Sequence, residues 1–293
     1  MKGNWKSKAP QLALFTAALI WGSSFVVVKN SVDTLPPNLL LAFRFTTACV
    51  LLGVVFYKRV ARLEWDSLWR GLLMGVFLFA GYSLQTIGIT GTTPGKNAFL
   101  TAIYCVLVPF FSWFATRQRP DGWNLLAALL CILGVGLVAL DSALSMAWGD
   151  AVTLAGGVMF ACHIVAVATL GKGQDPILMT ILQFFAVACL SWTANLIWES
   201  FPTQVEPATV WGVLYLALFA TALCLLLQNI GQRGTDPAAA SILLCLESVF
   251  GVLFSVVLYH EQVTLRMGIG FVVIFCSVIL SETKLSFLRR SHK

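Results

Sequence analysis

Charge is scarce in this sequence. Asp, Glu, Lys and Arg together make up 11% of its 293 residues, where soluble domains average about 25%. A surface with so few charges cannot be wetted throughout, so much of it must face lipid. Polar stretches long enough to form a separate soluble domain are lacking too. There are three histidines (His163, His260 and His292) and no H-E-x-x-H pair, and no Walker-type phosphate loop occurs. No loop is long enough to carry an ATPase, which excludes ATP-driven transport by this chain alone. None of the eight cysteines (Cys49, Cys105, Cys131, Cys162, Cys189, Cys224, Cys245 and Cys276) stands in a C-x-x-C pair or near a histidine at metal spacing. Each falls in an apolar run, as a small packing residue does. No catalytic residue, metal or cofactor is therefore expected.

What the sequence has in abundance is apolar length. Hydrophobic residues make up 58% of the chain, and the mean hydropathy is +0.85. Ten apolar runs fall at 10–28, 37–57, 70–90, 95–115, 123–141, 149–170, 177–198, 209–230, 238–259 and 265–282. A spanning helix needs about 20 apolar residues. In lipid the backbone must satisfy its own hydrogen bonds, so long non-alternating runs are helices rather than barrel strands. Lys2, Lys6 and Lys8 precede the first run as in a signal peptide, but its length suits a retained first span. With that end inside, fifteen of the Lys and Arg residues fall on inner segments and only Lys29, Lys96 and Arg266 on outer ones. The positive-inside rule then puts both termini in the cytoplasm. The net charge of +6 is thus a topology signal, and nucleic acid is not an expected partner.

The two halves echo each other. The decapeptide Gln85-Thr-Ile-Gly-Ile-Thr-Gly-Thr-Thr-Pro94 and its counterpart Gln228-Asn-Ile-Gly-Gln-Arg-Gly-Thr-Asp-Pro237 share six residues at an offset of 228 − 85 = 143. A weaker echo, at 139, relates the stretch Pro37 to Phe45 to the stretch Pro176 to Phe184, which pairs Arg44 with Gln183. Each half holds five runs, an odd number, so the second must enter the membrane from the opposite side. The expected architecture is all-α, ten transmembrane helices in two inverted five-helix repeats, residues 1–143 and 144–293. Inverted repeats are common in secondary transporters, where each half can adopt the conformation the other has left.

Polar groups inside the runs are the candidate site. A charge at mid-membrane depth costs several kcal/mol even by the milder insertion scales, so Arg44 should face the bundle or a water cavity. It could contact substrate or coupling ion, or it could bond helix-end carbonyls or snorkel outward. Glu247 is a carboxylate near the middle of the ninth run, placed to carry a proton or meet a cation; its mate at the 143 offset is Tyr104. His163 could titrate with it or simply pack. Gln85 and Gln228, the paired amides, could bond substrate or bridge helices. Trp21, Ser23 and Ser24 could line a cavity. Gly71-x-x-x-Gly75 and Gly156-Gly157 allow close helix approach. Pro94 and Pro237 suit helix starts, and Pro109 should kink the fourth run.

The stretch from Ile20 to Lys29 (I-W-G-S-S-F-V-V-V-K), followed by Leu35-Pro36-Pro37 and Arg44, resembles the opening of the EamA-like branch of the drug/metabolite transporter superfamily. Leu246-Glu247-Ser248-Val249-Phe250, followed by Glu261 and Gly268, resembles its ending. The resemblance covers residues 10–282 and implies a ten-helix carrier of amino acids, metabolites or toxic cations in a bacterial-type inner membrane. It also implies a central cavity between helices 1, 3, 4, 6, 8 and 9, near Trp21, Gln85, Tyr104, His163, Gln228 and Glu247, with Arg44 more peripheral. Three departures stand out. Ser248 occupies a family proline, which should leave its helix straighter. Gln118 replaces an acid in Arg117-Gln118-Arg119-Pro120, and His260 precedes Glu261. The expected function is alternating-access transport of a small polar metabolite, such as an amino acid, coupled to protons. The alternatives are an organic-cation exporter, a channel, or a non-transporting enzyme or sensor. The expected partners are the substrate, protons, the bilayer and, as a candidate, a second copy of the chain.

Overall fold

The computed structural model describes residues 5–117, 119–140, 145–234 and 237–283, with side chains left out at 5–8, 115, 116, 229, 230, 232–234, 237–242, 282 and 283. Within them the chain is helix joined by turns. The helices are α1 (Trp5–Val32), α2 (Pro37–Val55), the single turn α3 (Tyr57–Val60), α4 (Trp65–Thr90), α5 (Pro94–Thr101), α6 (Tyr104–Thr116), α7 (Gly122–Ala139) and α8 (Trp148–Leu170). They continue as α9 (Pro176–Trp198), α10 (Pro207–Tyr215), a π-helical segment (Leu216–Leu223), α11 (Cys224–Gly234), α12 (Pro237–Leu258) and α13 (Leu265–Thr283). Eight spans among the described residues are long and apolar enough to cross a membrane. They include Pro94–Phe114, made of α5 and α6, and Pro207–Gln228, made of α10, the π segment and the start of α11. The ninth and tenth apolar runs fall on two shorter apolar stretches, Leu243–Leu258 and Leu265–Ser281. This is a multi-pass membrane protein.

Local chemistry sets the helix ends. Pro37, Pro94, Pro176, Pro207 and Pro237 each open a helix, where the missing N–H would have had no partner. Asp121 and Asn124 form a reciprocal capping box at α7. Asp175 caps α9, accepting from the N–H groups of Ile177 at 2.9 Å and Leu178 at 3.4 Å, and it pairs with Arg59. Burial pushes the Asp175 carboxyl up, but the Arg59 guanidinium and the two N–H groups outweigh that and hold it below the usual range.

Two helix starts are capped from a distance. Glu199, at the end of α9, accepts from the N–H groups of Asn38 at 3.0 Å and Leu39 at 3.1 Å at the start of α2. Glu261, between α12 and α13, accepts from Gly95 N–H at 3.0 Å and from the hydroxyls of Thr93 and Ser255.

Small residues let the helices approach. A Cβ on Gly149 would stand 2.4 Å from the carbonyl carbon of Gly91, so α8 crosses the end of α4 backbone to backbone. Gly71 and Gly75 similarly seat α4 on Leu182 and Ala186 of α9. The packing is reciprocal between the halves. α1 lies on α12 and α11 as α8 lies on α5–α6 and α4, while α2 packs on α9 and α7 on α13. Among the described residues two non-glycines take a left-handed backbone, Arg117 (φ 61°) after α6 and His260 (φ 56°) after α12. Their separation, 260 − 117 = 143, equals the offset of the sequence echo.

The fourth run is not a bent single helix. It breaks at Ala102–Ile103, between α5 and α6, upstream of Pro109. Pro109 removes the N–H that would bond Cys105 four residues earlier; the Ser281 hydroxyl donates to that carbonyl at 3.4 Å. α12, by contrast, runs unbroken through Ser248.

Candidate functional site

The bundle encloses an elongated space with two lobes of about 650 Å³ and 240 Å³. Trp21, Leu78, Tyr82, Tyr104, His163, Ile164, Gln228 and Leu244 line both, so the lobes are continuous. The larger lobe reaches Gly171 and Pro176, at the turn between α8 and α9. The smaller runs the other way, to Val28, Ile89 and Asn97. Beyond it the bundle is tied shut. Lys29 of α1 donates to the terminal carbonyls of α4, Ile89 at 2.8 Å and Thr90 at 3.4 Å, which suits a cation at a helix C-terminus. Asp150 of α8 receives the Thr92 hydroxyl and the Lys96 ammonium, the latter at 3.3 Å. Glu261 clamps the start of α5 alongside.

Of the nine residues singled out in the sequence, eight line this space; Ser23 does not, and bonds instead to the Ile20 carbonyl at 2.8 Å and the Tyr215 hydroxyl at 2.6 Å. Arg44 is 3% exposed and donates through Nε to the Thr221 hydroxyl at 2.8 Å. Its guanidinium lies 4.9 Å from the centre of the Tyr82 ring, in cation–π range. This is not the peripheral position implied by the resemblance. α2 packs against the π segment, so a long side chain on that face reaches the interior. Glu247 lines the smaller lobe and has no hydrogen-bond partner among the described residues. Arg44 and Glu247 are the two formally charged residues on the described wall, one of each sign.

The uncharged members are held more tightly. Gln85 donates to Thr101 Oγ1 at 3.1 Å, and Ser24 donates to the Trp21 carbonyl at 2.6 Å. His163 Nε2 bonds Gln183 Oε1 at 2.6 Å, so its hydrogen bond goes to the mate of Arg44 and not to Glu247. Trp21 donates through Nε1 to the Ala220 carbonyl at 2.7 Å. Ala220 belongs to the π segment, where i→i+5 bonding replaces the α pattern. Thr221 sits beside it and bonds back to Leu216 O at 2.8 Å while accepting from Arg44. The irregular turn thus presents both the anchor for Arg44 and the anchor for Trp21. Tyr104 and Gln228 face both lobes.

Polar wall residues that escaped the sequence reading include Tyr82, Asn97, Thr101, Thr180 and Thr221. Asn97 and Thr101 lie in the short helix that follows the first copy of the decapeptide, which was the available clue. Thr221 carries no signal in an otherwise apolar run.

An all-helical, multi-pass fold around a central cavity bearing one charge of each sign suits a membrane transport protein, and comparison with known sequences narrows the class. The chain belongs to the EamA-like transporter family, whose profile matches residues 9–140 and again 147–283. An uncharacterized transporter of Archaeoglobus fulgidus is 31% identical over 92% of this chain and 84% of its own length. The inner membrane transporter YedA of Escherichia coli K12 is 25% identical over 94% of this chain and 91% of its own. A solved crystal structure shares the fold with a TM-score of 0.66 at 20% identity, covering 98% of this chain and 99% of the other.

Proposed function

We propose that this chain is a secondary transporter that moves a small zwitterionic metabolite, an amino acid or a close relative, across the cytoplasmic membrane by alternating access with protons as the coupling ion. The observation that carries the reading is that Arg44 and Glu247 both line one aromatic-walled space. Each charge is expensive to hold in a membrane interior alone. Together they complement a ligand bearing a carboxylate and an ammonium, and Glu247 can take up a proton when the ligand leaves.

Several features support the inverted-repeat architecture of ten spans. They are the 143-residue echo, the two successive family matches, the reciprocal helix packing and the paired left-handed residues Arg117 and His260. The larger lobe reaches the end of the bundle that carries Arg59, Arg70 and Lys172, the cytoplasmic end by the positive-inside rule. The conformation is then inward-facing, with the Lys29, Asp150 and Glu261 ties closing the outer end. The relationship to YedA supports an inner-membrane location. Exporting an organic cation is the second reading, favoured by a Glu247 carboxylate that has no hydrogen-bond partner among the described residues and stands amid Trp21, Tyr82, Tyr104 and Phe160.

Counterflow in proteoliposomes separates them. Vesicles are preloaded in turn with each of the twenty amino acids or with tetraethylammonium, and labelled solute is added outside. Trans-stimulated uptake of an amino acid is the expected result. Stimulation by the cation alone would establish the second reading, and no stimulation by any solute would overturn the carrier assignment.

A further inference from the structure

We infer that Asn97 is a specificity-determining residue of the transport cavity, its side-chain oxygen receiving the ammonium group of the substrate on the lobe that carries Glu247; this rests on the zwitterion reading above. Asn97 lies one turn into α5 and is fully buried. Its Nδ2 donates to the Gln85 carbonyl of α4 at 3.1 Å and to Thr153 Oγ1 of α8 at 2.8 Å. Neither partner leaves the amide free to turn over. The Gln85 carbonyl can only accept, and Thr153 has committed its own proton to Gly149 O at 2.7 Å. The nitrogen must face α4 and α8, and Oδ1 is the amide atom left over. That oxygen has no hydrogen-bond partner among the described residues.

A buried acceptor without a donor is costly and rare. Asn195 likewise carries a buried, unpaired amide oxygen, but it lines neither lobe, whereas Asn97 lines the smaller lobe with Gln85, Thr101 and Glu247. Gln85 of the same lobe donates to Thr101. The inner end of the lobe therefore offers two acceptors without a donor among the described residues, Asn97 Oδ1 and the Glu247 carboxylate. A primary ammonium has three N–H groups to give. A trimethylammonium carries the same charge and none, and it would leave Asn97 Oδ1 buried and unpaired. Glu247 recognises the charge, and Asn97 recognises the hydrogens on it.

The test compares, in the counterflow assay, the amino acid that gives the strongest uptake with its N-trimethyl betaine as competitor. Wild-type protein is expected to prefer the free ammonium by at least about tenfold, roughly the difference made by one or two unmade hydrogen bonds. Asn97→Leu and Asn97→Ser should each narrow the preference to within about twofold, by raising the KM of the ammonium form. Thr153→Val removes a partner of the Asn97 nitrogen and leaves the oxygen in place, so it should keep the wild-type preference. If Thr153→Val narrows the preference as far as Asn97→Leu, Asn97 only ties helices together and the inference falls. Equal handling of the two ligands by the wild type overturns it without any variant. Failure of every amino acid to give counterflow would overturn the proposed function itself, before Asn97 is reached.

Discussion

Replacing Glu261 tests whether one carboxylate holds the closed end of the cavity together. It accepts three hydrogen bonds in a buried setting, from Thr93 Oγ1 on one oxygen and from Gly95 N–H and Ser255 Oγ on the other. Hydrogen bonds to a charged acceptor contribute about 1.5–3 kcal/mol each and are not additive within one network. Glu261→Ala removes all three and leaves the Gly95 N–H without its acceptor, so a loss of about 4 kcal/mol is expected. Glu261→Gln is milder. Its oxygen can serve Gly95 and Ser255, while its nitrogen donates to a Thr93 hydroxyl turned round to accept, which leaves a loss of about 1–2 kcal/mol for the missing charge. At roughly 2–4 °C per kcal/mol for a chain of this size, the apparent Tm in detergent should fall by roughly 8–16 °C for Ala and 2–8 °C for Gln. Thr93→Val should cost more in the wild type than in the Glu261→Ala background, where it loses only its cap on the Lys96 N–H. An alanine variant that melts like the wild type, or a glutamine variant as damaged as alanine, would refute the account of this carboxylate as a multiple acceptor.

Glu247→Gln should abolish the pH dependence of counterflow while leaving the melting temperature near that of the wild type; unchanged pH dependence would remove Glu247 from the coupling step. Gly149→Ala puts a methyl group 2.4 Å from the backbone of Gly91, and an overpacking cost of about 1–3 kcal/mol should appear as earlier unfolding; a neutral result would mean that α4 and α8 cross less closely than described. Arg59→Gln should cost under about 1 kcal/mol at neutral pH, since both partners are partly exposed. The Asp175 carboxyl is held below its ordinary range, so its contribution is present above about pH 4 and is lost as pH falls through the depressed value. The difference between wild type and Arg59→Gln should therefore shrink in acid, and a difference that grows as pH falls would contradict the pairing.

The fold was legible wherever a single physical rule governed the outcome. Lipid forces helices, so the order of the apolar runs is the order of the helices, and Pro94 and Pro237 open helices as expected because the missing N–H is harmless there. The candidate site was legible for a related reason. A polar side chain in an apolar run must turn inward, so Arg44, Glu247, His163 and the rest could be named before their partners were known. Features that depend on a second segment were not legible. Pro109 signalled a disturbance, but the break falls at Ala102–Ile103, and Ser281 relieves the Cys105 carbonyl from another helix. Nothing in the sequence marks Glu199 and Glu261 as caps, because the helix starts they cap are far away along the chain. The resemblance alone implied a more peripheral Arg44, from its helix number; the approach of α2 to the π segment brings it inside.

That π segment has a consequence for how the family can change. An α-helix advances about 100° per residue, and the wide turn at Leu216–Leu223 takes in one residue more than an α turn does. Everything after it is therefore rotated out of the phase set by α10. Gln228 looks into the cavity from that shifted phase. Deleting one residue from this stretch would leave hydropathy, charge and span length nearly untouched, yet it would swing Gln228 and the start of the second decapeptide towards a neighbouring helix. An insertion–deletion event that composition cannot detect would thus rewrite one wall of the cavity, whereas point substitutions among its leucines and alanines would leave that wall where it is.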